Sequence, residues 1–215
     1  MTKKYISDFK SEFKRYLKIE KYLVEDIGCT NPGILFILES PHNDEINERY
    51  PAAGKSGKAM TEFISISNSN ESLGKIISNK NNQFLEMGIM NVCQVPLQCV
   101  NDLDKSYEKL VNKLNPIIRK GYKSFGKHKK NQQFNCIEKI ILKNFIDRLK
   151  KVNLDNTLVV VCGKFAETYF KKYLDGSKMP YSNLIYVPHP SYNQWETNFN
   201  SLLELKKELK TRLEI

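Results

Sequence analysis

Three side chains of types that enzymes use for acid–base chemistry lie in or just after apolar runs of this chain. Glu39 directly follows the run 34–38, Asn91 interrupts the run 87–93, and His189 comes two residues after the run 183–187. A carboxylate can activate water, and an imidazole or an amide can donate a hydrogen bond to a polar ligand. Parallel strands end at one edge of a sheet, where open α/β proteins bind their ligands. We therefore expect these three side chains to share a cavity.

Structural roles are the alternatives for the same side chains. Glu39 and His42 can be solvated loop residues after a strand that Pro41 ends. The amide of Asn91 can be satisfied inside the core as readily as by a ligand. His189 lies between two prolines, which restrict its backbone and favour chemistry over a purely structural role.

Alternating strands and helices must position these residues. Apolar runs predict four buried strands, at residues 34–38, 87–93, 156–163 and 183–187. Amphipathic patterns predict helices at residues 5–24, 58–66, 105–114, 137–152, 164–174 and 199–213. Residues 42–57 are predicted as a polar loop, and residues 68–82 as a loop around a short helix. The sequence therefore predicts an α/β fold with three α/β/α layers and a central, mainly parallel four-stranded sheet. We expect a single domain over residues 1–215, with residues 1–27 as an N-terminal helical extension.

Composition excludes several classes of protein. A share of 40% hydrophobic and 27% charged residues is typical of a globular domain. No apolar run approaches the roughly 20 residues that span a bilayer, and no signal peptide is visible, so we expect a cytoplasmic protein without a membrane partner. The five cysteines are scattered and form no C-x-x-C pair. We therefore expect reduced thiols, no metal site and no cofactor.

An excess of basic residues indicates a polyanionic partner. The chain has 34 lysines and arginines against 24 aspartates and glutamates, a net charge of +10. Residues 109–137 contain eight basic residues and no acidic one, which is typical of a phosphate-facing surface. A disordered basic loop is the alternative, and such a loop can also bind a nucleic-acid backbone. From this segment we assign nucleic-acid contacts to Lys120, Lys123, Lys127, Lys129 and Lys130.

Four short motifs resemble those of the uracil-DNA glycosylase superfamily, and they follow one another along the chain in the same order as in that superfamily. Leu38-Glu39-Ser40-Pro41 and the segment 50–57 are together similar to the first motif of its iron–sulfur branch. The segment 88–92 resembles that branch's Ile-Thr-Asn-Val strand, and His189-Pro190-Ser191 matches the superfamily's His-Pro-Ser motif. The apolar strand, glycine and helix across residues 157–165 resemble those that precede this motif. Each motif is short, but their shared order extends over roughly residues 30–195.

The resemblance implies a DNA glycosylase that flips a base out of double- or single-stranded DNA and hydrolyses its N-glycosidic bond. It implies that Glu39 activates water and stabilises the cationic sugar, that His189 donates a hydrogen bond to the leaving base, and that Asn91 reads the edge of that base. It further implies substrate contacts by Ser40, Pro41, His42, Ala52, Gly54 and Ser191, and DNA contacts by Lys55, Tyr192 and Trp195. Tyr192 or Trp195 would insert between bases as a wedge. For Trp195, capping the core is an equal alternative.

Departures from the family pattern bear on the substrate. Leu38 and His42 stand where the branch has glycines, and Ala52 stands where a phenylalanine stacks on uracil. Losing that ring removes a stacking surface worth about 1–3 kcal/mol and predicts a larger pocket, suited to a bulkier or modified base. The cysteine spacing that binds the cluster is absent, so an iron–sulfur cofactor is not expected.

Two other functions stay open from the sequence. One is a binding module with the same fold and basic surface, which recognises nucleic acid or a nucleotide without cleaving it. The other is hydrolysis of free nucleosides or nucleotides, which the basic segment disfavours. Both DNA repair and defence against foreign DNA are compatible with the glycosylase interpretation.

Overall fold

The structure is a computed structural model that describes residues 3–65, 70–79, 86–98, 100–101, 103–119, 127, 132–175, 183–197 and 199–213. Its strands are β1 (Ile34–Leu38), β2 (Met87–Asn91), β3 (Leu158–Cys162) and β4 (Leu184–Val187). Its α-helices are α1 (Lys3–Tyr16), α2 (Asn43–Glu48), α3 (Lys55–Ile64), α4 (Leu73–Ser78), α5 (Lys105–Arg119), α6 (Gln132–Leu149), α7 (Gly163–Leu174) and α8 (Asn200–Leu213). Short 3-10 turns cover Glu20–Tyr22 and Gln194–Glu196. None of these described helices is both long and apolar enough to cross a membrane.

All four strands are parallel and lie in the order β2-β1-β3-β4. Their registers align the carboxyl ends, since Leu38 pairs with Asn91 and Cys162 pairs with Val187. Every residue of β1, β2 and β3 is buried, as expected for apolar runs in a sheet that is covered on both faces. The segments that follow β1, β2 and β4 therefore leave the sheet at the same edge.

Alternate strand residues enter two separate cores, one on each face of the sheet. On one face, Leu35 and Ile37 belong to a cluster with side chains from α1, α5, α6 and α7. On the other face, Ile34 and Phe36 belong to a cluster with side chains from α3, α4 and α8. The predicted fold class, three α/β/α layers around a parallel four-stranded sheet, is confirmed.

Helix α1 is part of the core. Phe13 and Tyr16 are fully buried, and Tyr22 from the following 3-10 turn joins them in the cluster that also contains Leu35. The helix ends at Tyr16, which is earlier than the predicted limit at residue 24. The described part of the segment 1–27 is therefore packed into the same core as the sheet.

Helix α2 was not expected, because residues 42–57 are predicted as a polar loop. Its first turn carries Asp44 and Glu45, and carboxylates at this position are stabilised by the helix dipole. The helix ends at Arg49, which has a left-handed backbone with φ of 69°. It follows β1 directly and so places Glu45 near the carboxyl edge of the sheet.

Candidate active site

The carboxyl edge of the sheet brings together the strand ends that carry Glu39, Asn91 and His189. Pairing between β1 and β2 continues past the strands, since the N–H of Cys93 donates to the carbonyl of Glu39 at 3.0 Å. Strand β3 separates β1 from β4, so the strand ends that carry Glu39 and His189 are about two strand spacings, roughly 10 Å, apart. The three strand ends therefore lie along one edge of the sheet.

Glu39 is a half-buried carboxyl group whose surroundings favour its neutral form. Burial raises the pKa of Glu39 to about 7, and no hydrogen bond or opposite charge from the described residues offsets this effect. Glu39 therefore changes its charge near neutral pH. A carboxylate with such a pKa can accept a proton from water and can stabilise a nearby cation.

His189 is a neutral imidazole that carries its proton on Nε2. Its Nδ1 accepts the backbone N–H of Ser191 at 3.3 Å and lies 2.9 Å from the Oγ of the same residue. Because Nδ1 accepts a hydrogen bond, the ring proton must be on Nε2. Burial lowers the pKa of His189 to about 4, so the ring stays neutral at physiological pH. Such a ring can donate a hydrogen bond without first gaining a proton.

Two neighbours fix the segment that carries His189. Gly163 has φ of 87°, and a Cβ at this position would lie 3.0 Å from the Cβ of His189. The Nε1 of Trp195 donates to the carbonyl of Pro188 at 2.8 Å, and its ring packs edge-on against Phe63 with centroids 5.0 Å apart. Trp195 is only 3% exposed. The prediction that Trp195 contacts DNA as a wedge is therefore wrong, because its ring is part of the core.

Asn91 is buried, and its amide is only partly satisfied. Its Nδ2 donates to Oε1 of Glu45 at 3.5 Å, whereas its Oδ1 has no hydrogen-bond partner among the residues that the structure describes. Its backbone carbonyl accepts a hydrogen bond from Nη2 of Arg148 at 2.8 Å, and Arg148 is ion-paired with Asp26 at 2.7 Å. The ion pair thus anchors the end of β2, while the amide oxygen of Asn91 has no partner among the described residues.

Glu45 is a second carboxyl group at this edge, and it is not among the residues predicted from the sequence motifs. Its Oε2 accepts the backbone N–H of His42 at 2.9 Å, and its Oε1 accepts the backbone N–H of Ala52 at 2.7 Å. Burial raises the pKa of Glu45, while these hydrogen bonds oppose the rise. The sequence signal that could have located Glu45 is the acidic first turn of α2.

The other predicted substrate-binding residues differ in accessibility. Ser40 and Pro41 are buried, and the Oγ of Ser40 lacks a hydrogen-bond partner within the described chain. His42 is exposed, and a Cβ at Gly54 would displace the side chain of Asp44 in α2. Ala52 is 3% exposed and belongs to an apolar cluster. The larger pocket predicted at Ala52 is therefore not seen, because neighbouring apolar side chains enclose this methyl group.

The predicted DNA-contacting residues are described only in part. Lys55, Lys127 and Tyr192 are exposed, and Tyr192 is 92% exposed with a left-handed φ of 56°. Four of the predicted lysines lie outside the described residues, namely Lys120, Lys123, Lys129 and Lys130. The accessible candidates for DNA contacts are thus Lys55, Lys127 and Tyr192.

A polar groove of about 720 Å³ lies at the opposite edge of the sheet, where Asn31, Gly33, Asn156 and Arg212 are among its lining residues. None of the predicted site residues lines this groove. Within the described ranges, no three or more His, Cys, Asp or Glu side chains are grouped so that they could hold a metal ion. Two carboxyl residues, Glu86 and Asp155, line this groove, whereas Glu39, Asn91 and His189 lie at the carboxyl edge.

Comparisons of the chain with protein-family models and with curated proteins found no match. The geometry and electrostatics of the carboxyl edge are therefore the basis for a function.

Proposed function

We propose that this protein is a DNA glycosylase-type hydrolase that cleaves the N-glycosidic bond of a base flipped out of DNA, by the chemistry of the uracil-DNA glycosylase superfamily. One observation carries the proposal. A carboxyl group with a pKa of about 7 and a neutral imidazole lie at the same sheet edge as a buried amide with an unpaired oxygen. Such groups match the needs of a reaction that separates charge between a sugar and a leaving base.

In this reaction the bond between C1′ and the base nitrogen breaks, and its electron pair leaves with the base. His189 donates a hydrogen bond from Nε2 to an oxygen of that base and so stabilises the developing anion. A neutral donor is suited to this task, because it need not be recharged after each turnover. The pKa of about 4 keeps His189 in this form across the physiological range.

Glu39 acts on the other side of the breaking bond. Its carboxylate stabilises the cationic sugar and accepts a proton from the water that bonds to C1′. The products are then the free base and an abasic site, with the proton of water balancing the charge. Because only ionised Glu39 can do this, the rate of excision should rise as pH increases through about 7.

Two exposed side chains, Lys55 and Tyr192, support DNA as the partner. Tyr192 is exposed and lies three residues after His189, where it can enter the space that a flipped base leaves. Lys55 is exposed at the start of α3 and can contact a phosphate. Ser191, for which the resemblance implies a substrate contact, has its Oγ at 2.9 Å from Nδ1 of His189.

An abasic-site assay tests the proposal. The substrates are single-stranded and duplex oligonucleotides that contain uracil, hypoxanthine, or hydroxymethylated or glycosylated pyrimidines, and alkaline cleavage reports excision. We expect the wild type to excise at least one of these bases and Glu39→Gln and His189→Ala each to lower the rate by about 100-fold or more. Glu48→Gln is the matched control, since Glu48 is exposed on α2 and the substitution is chemically the same.

Three outcomes of this assay are informative. If neither Glu39→Gln nor His189→Ala lowers abasic-site formation, the assigned mechanism is refuted. If the wild type binds these DNAs with steep salt dependence but cleaves none, the protein is a binding module. If it cleaves free nucleosides faster than DNA and without salt dependence, DNA is not its substrate.

A further inference from the structure

Three large apolar side chains are exposed among the residues that the structure describes, and two of them lie together at the start of α8. They are Tyr192 at 92% exposed, Phe199 at 50% and Leu203 at 56%. The carbonyl of Phe199 accepts the N–H of Leu202 at 2.9 Å and that of Leu203 at 3.2 Å, so Phe199 begins the helical turn. Leu203 follows four residues later on the same helix face. Exposed apolar side chains that are grouped in this way mark an interaction surface.

Two lysines continue this face of α8. Lys206 and Lys210 come seven and eleven residues after Phe199, which places them in line with it at about 3.6 residues per turn. Both lysines are exposed. We refer to this row of side chains as the α8 stripe, which consists of Phe199, Leu203, Lys206 and Lys210. The stripe combines apolar contact area with positive charge.

The acidic residues of α8 lie away from the stripe. Glu204 and Glu208 come five and nine residues after Phe199, which places them on the opposite flank of the helix. There, Oε2 of Glu208 forms an ion pair with Nε of Arg212 at 3.7 Å. Three buried leucines attach α8 to the core, namely Leu202, Leu205 and Leu209. The stripe is therefore a positively charged and apolar surface on a helix that is held in place.

The α8 stripe is connected to the segment that carries Tyr192. Trp195, three residues after Tyr192, packs against the ring of Phe63 in α3 with centroids 5.0 Å apart. Phe63 also borders a small pocket of about 60 Å³, which Lys206 and Lys210 of the stripe line as well. The turn after Tyr192 and the lysines of the stripe therefore share Phe63 as a neighbour.

The direction of α8 leads the stripe away from the candidate active site. The helix follows the segment of His189, and near its far end Nη1 of Arg212 donates to the carbonyl of Asn156 at 2.7 Å. Asn156 precedes β3 and thus lies at the opposite edge of the sheet. From Phe199 to Lys210 the stripe extends over roughly 16 Å, at about 1.5 Å per residue. DNA that is bound at the carboxyl edge can therefore continue along α8.

We infer that the α8 stripe binds a single DNA strand, so that the substrate of this protein is DNA that is single-stranded beside the target base. Lysines contact the phosphates of such a strand, and an aromatic ring stacks on its bases, since every base has a π-face. A duplex keeps its bases stacked on one another and offers α8 only phosphates, which would leave Phe199 and Leu203 without a partner. The inference rests on the proposed function, because it takes DNA as the ligand.

Fluorescence anisotropy tests the inference without requiring catalysis. The labelled probes are oligothymidylates of about 4 and about 12 nucleotides and a duplex of about 12 base pairs. The variants are Phe199→Ala, Phe199→Tyr and the double variant Lys206→Gln/Lys210→Gln. The matched control is Lys143→Gln/Lys172→Gln, because these two lysines are exposed on α6 and α7, which pack on the other face of the sheet.

We expect the wild type to bind the long oligothymidylate about 10-fold or more tightly than the short one, because only the long one reaches along α8. Phe199→Ala should weaken binding of the long oligothymidylate about fivefold or more and leave duplex binding unchanged, whereas Phe199→Tyr should retain the wild-type affinity. Lys206→Gln/Lys210→Gln should reduce the slope of log affinity against log salt concentration by about 1.4, since each phosphate contact on a single strand contributes about 0.7. The control should keep the wild-type slope.

An unchanged affinity of folded Phe199→Ala for the long oligothymidylate would overturn the inference, and so would an equal loss of affinity for the duplex. A slope that falls as much in the control would also overturn it, because the net charge and not the stripe would then bind the strand. If Phe199→Ala does not fold, Phe199→Leu replaces it, since leucine is apolar but has no ring. A purely structural role for Phe199 predicts a lower urea midpoint with unchanged affinity.

The abasic-site assay on the same preparations separates this inference from the proposed function. A wild type that binds the long oligothymidylate through the stripe but releases no base would refute the glycosylase proposal and leave the inference in place. Excision by a protein whose single-strand affinity does not depend on Phe199 would refute the inference alone.

Discussion

Replacing Glu39 with glutamine should stabilise the protein at neutral and alkaline pH while it abolishes excision. Burial raises the pKa of Glu39 from 4.5 to about 7, so the folded protein binds its proton more tightly than the unfolded chain does. The stabilisation from this tighter proton binding is fully present below about pH 4.5 and is lost as pH rises through about 7. With about 1.4 kcal/mol for each pH unit, the ionised side chain lowers the free energy of unfolding by up to about 3 kcal/mol. Glutamine has nearly the same shape and avoids this cost.

His189 has the opposite dependence on pH, and the two effects overlap. Its pKa falls from 6.5 to about 4, so the stability associated with His189 is present above about pH 6.5 and is lost as pH falls through about 4. Between about pH 4.5 and 6.5 the contributions of Glu39 and His189 to the slope of stability against pH are nearly equal and opposite. In the wild type these two contributions cancel over this pH range. In Glu39→Gln only the contribution of His189 should remain.

Urea denaturation at several pH values tests this reasoning. The difference in unfolding free energy between Glu39→Gln and the wild type should be close to zero near pH 4 and should grow to about 2–3 kcal/mol near pH 8. Because the two proteins share all other titrating groups, the contributions of those groups cancel in the difference. A Glu39→Gln variant that is less stable than the wild type near pH 8, or a difference that does not depend on pH, would refute the assignment of Glu39 as a desolvated carboxyl group.

Three further predictions concern the supports of the site. Arg148→Met should lower the free energy of unfolding by about 3–5 kcal/mol in urea melts, because Asp26 would be buried without its partner; a loss below about 1 kcal/mol would contradict this. Gly163→Ala should lower the excision rate roughly 10- to 100-fold, because the new Cβ displaces His189; an unchanged rate in a folded variant would contradict this. Tyr192→Ala should weaken duplex binding in anisotropy titrations by about 1–3 kcal/mol without changing the urea midpoint; equal affinity would exclude Tyr192 as a wedge.

The strands, and the edge that their carboxyl ends share, could be predicted from the sequence. A continuous apolar run buries all of its side chains when it forms a strand in a parallel sheet that helices cover on both faces. The run 34–38 became β1, and the polar residue that follows it, Glu39, lies at the expected edge. The end of β2 shows the limit of the same pattern. The apolar run continues to Cys93, but the strand ends at Asn91. There Nη2 of Arg148 donates hydrogen bonds to the backbone carbonyls of Asn91 and Val92. A contact between residues so far apart in the chain leaves no local signal.

Helix α2 and Trp195 could not be predicted for related reasons. The segment 43–48 has few apolar residues, and none of them is fully buried, so it lacks the periodic pattern that reveals amphipathic helices. Glu45 was overlooked along with the helix that positions it. Trp195 follows a motif that suggests DNA contact, whereas its burial depends on Phe36 and Phe63, which come much earlier in the sequence. In both cases, contacts between distant segments decide the role of the residue.

The directions of the two pKa changes also indicate that Glu39 and His189 do not form an ion pair. An ion pair would lower the pKa of the carboxyl group and raise that of the imidazole. Both groups instead shift toward their neutral forms, and burial is the cause in each case. Glu39 and His189 are thus both desolvated at one sheet edge, with β3 between their strands, and neither neutralises the other. A reacting nucleoside would complete this arrangement, since its cationic sugar would stabilise ionised Glu39 and its anionic base would accept the hydrogen bond of His189.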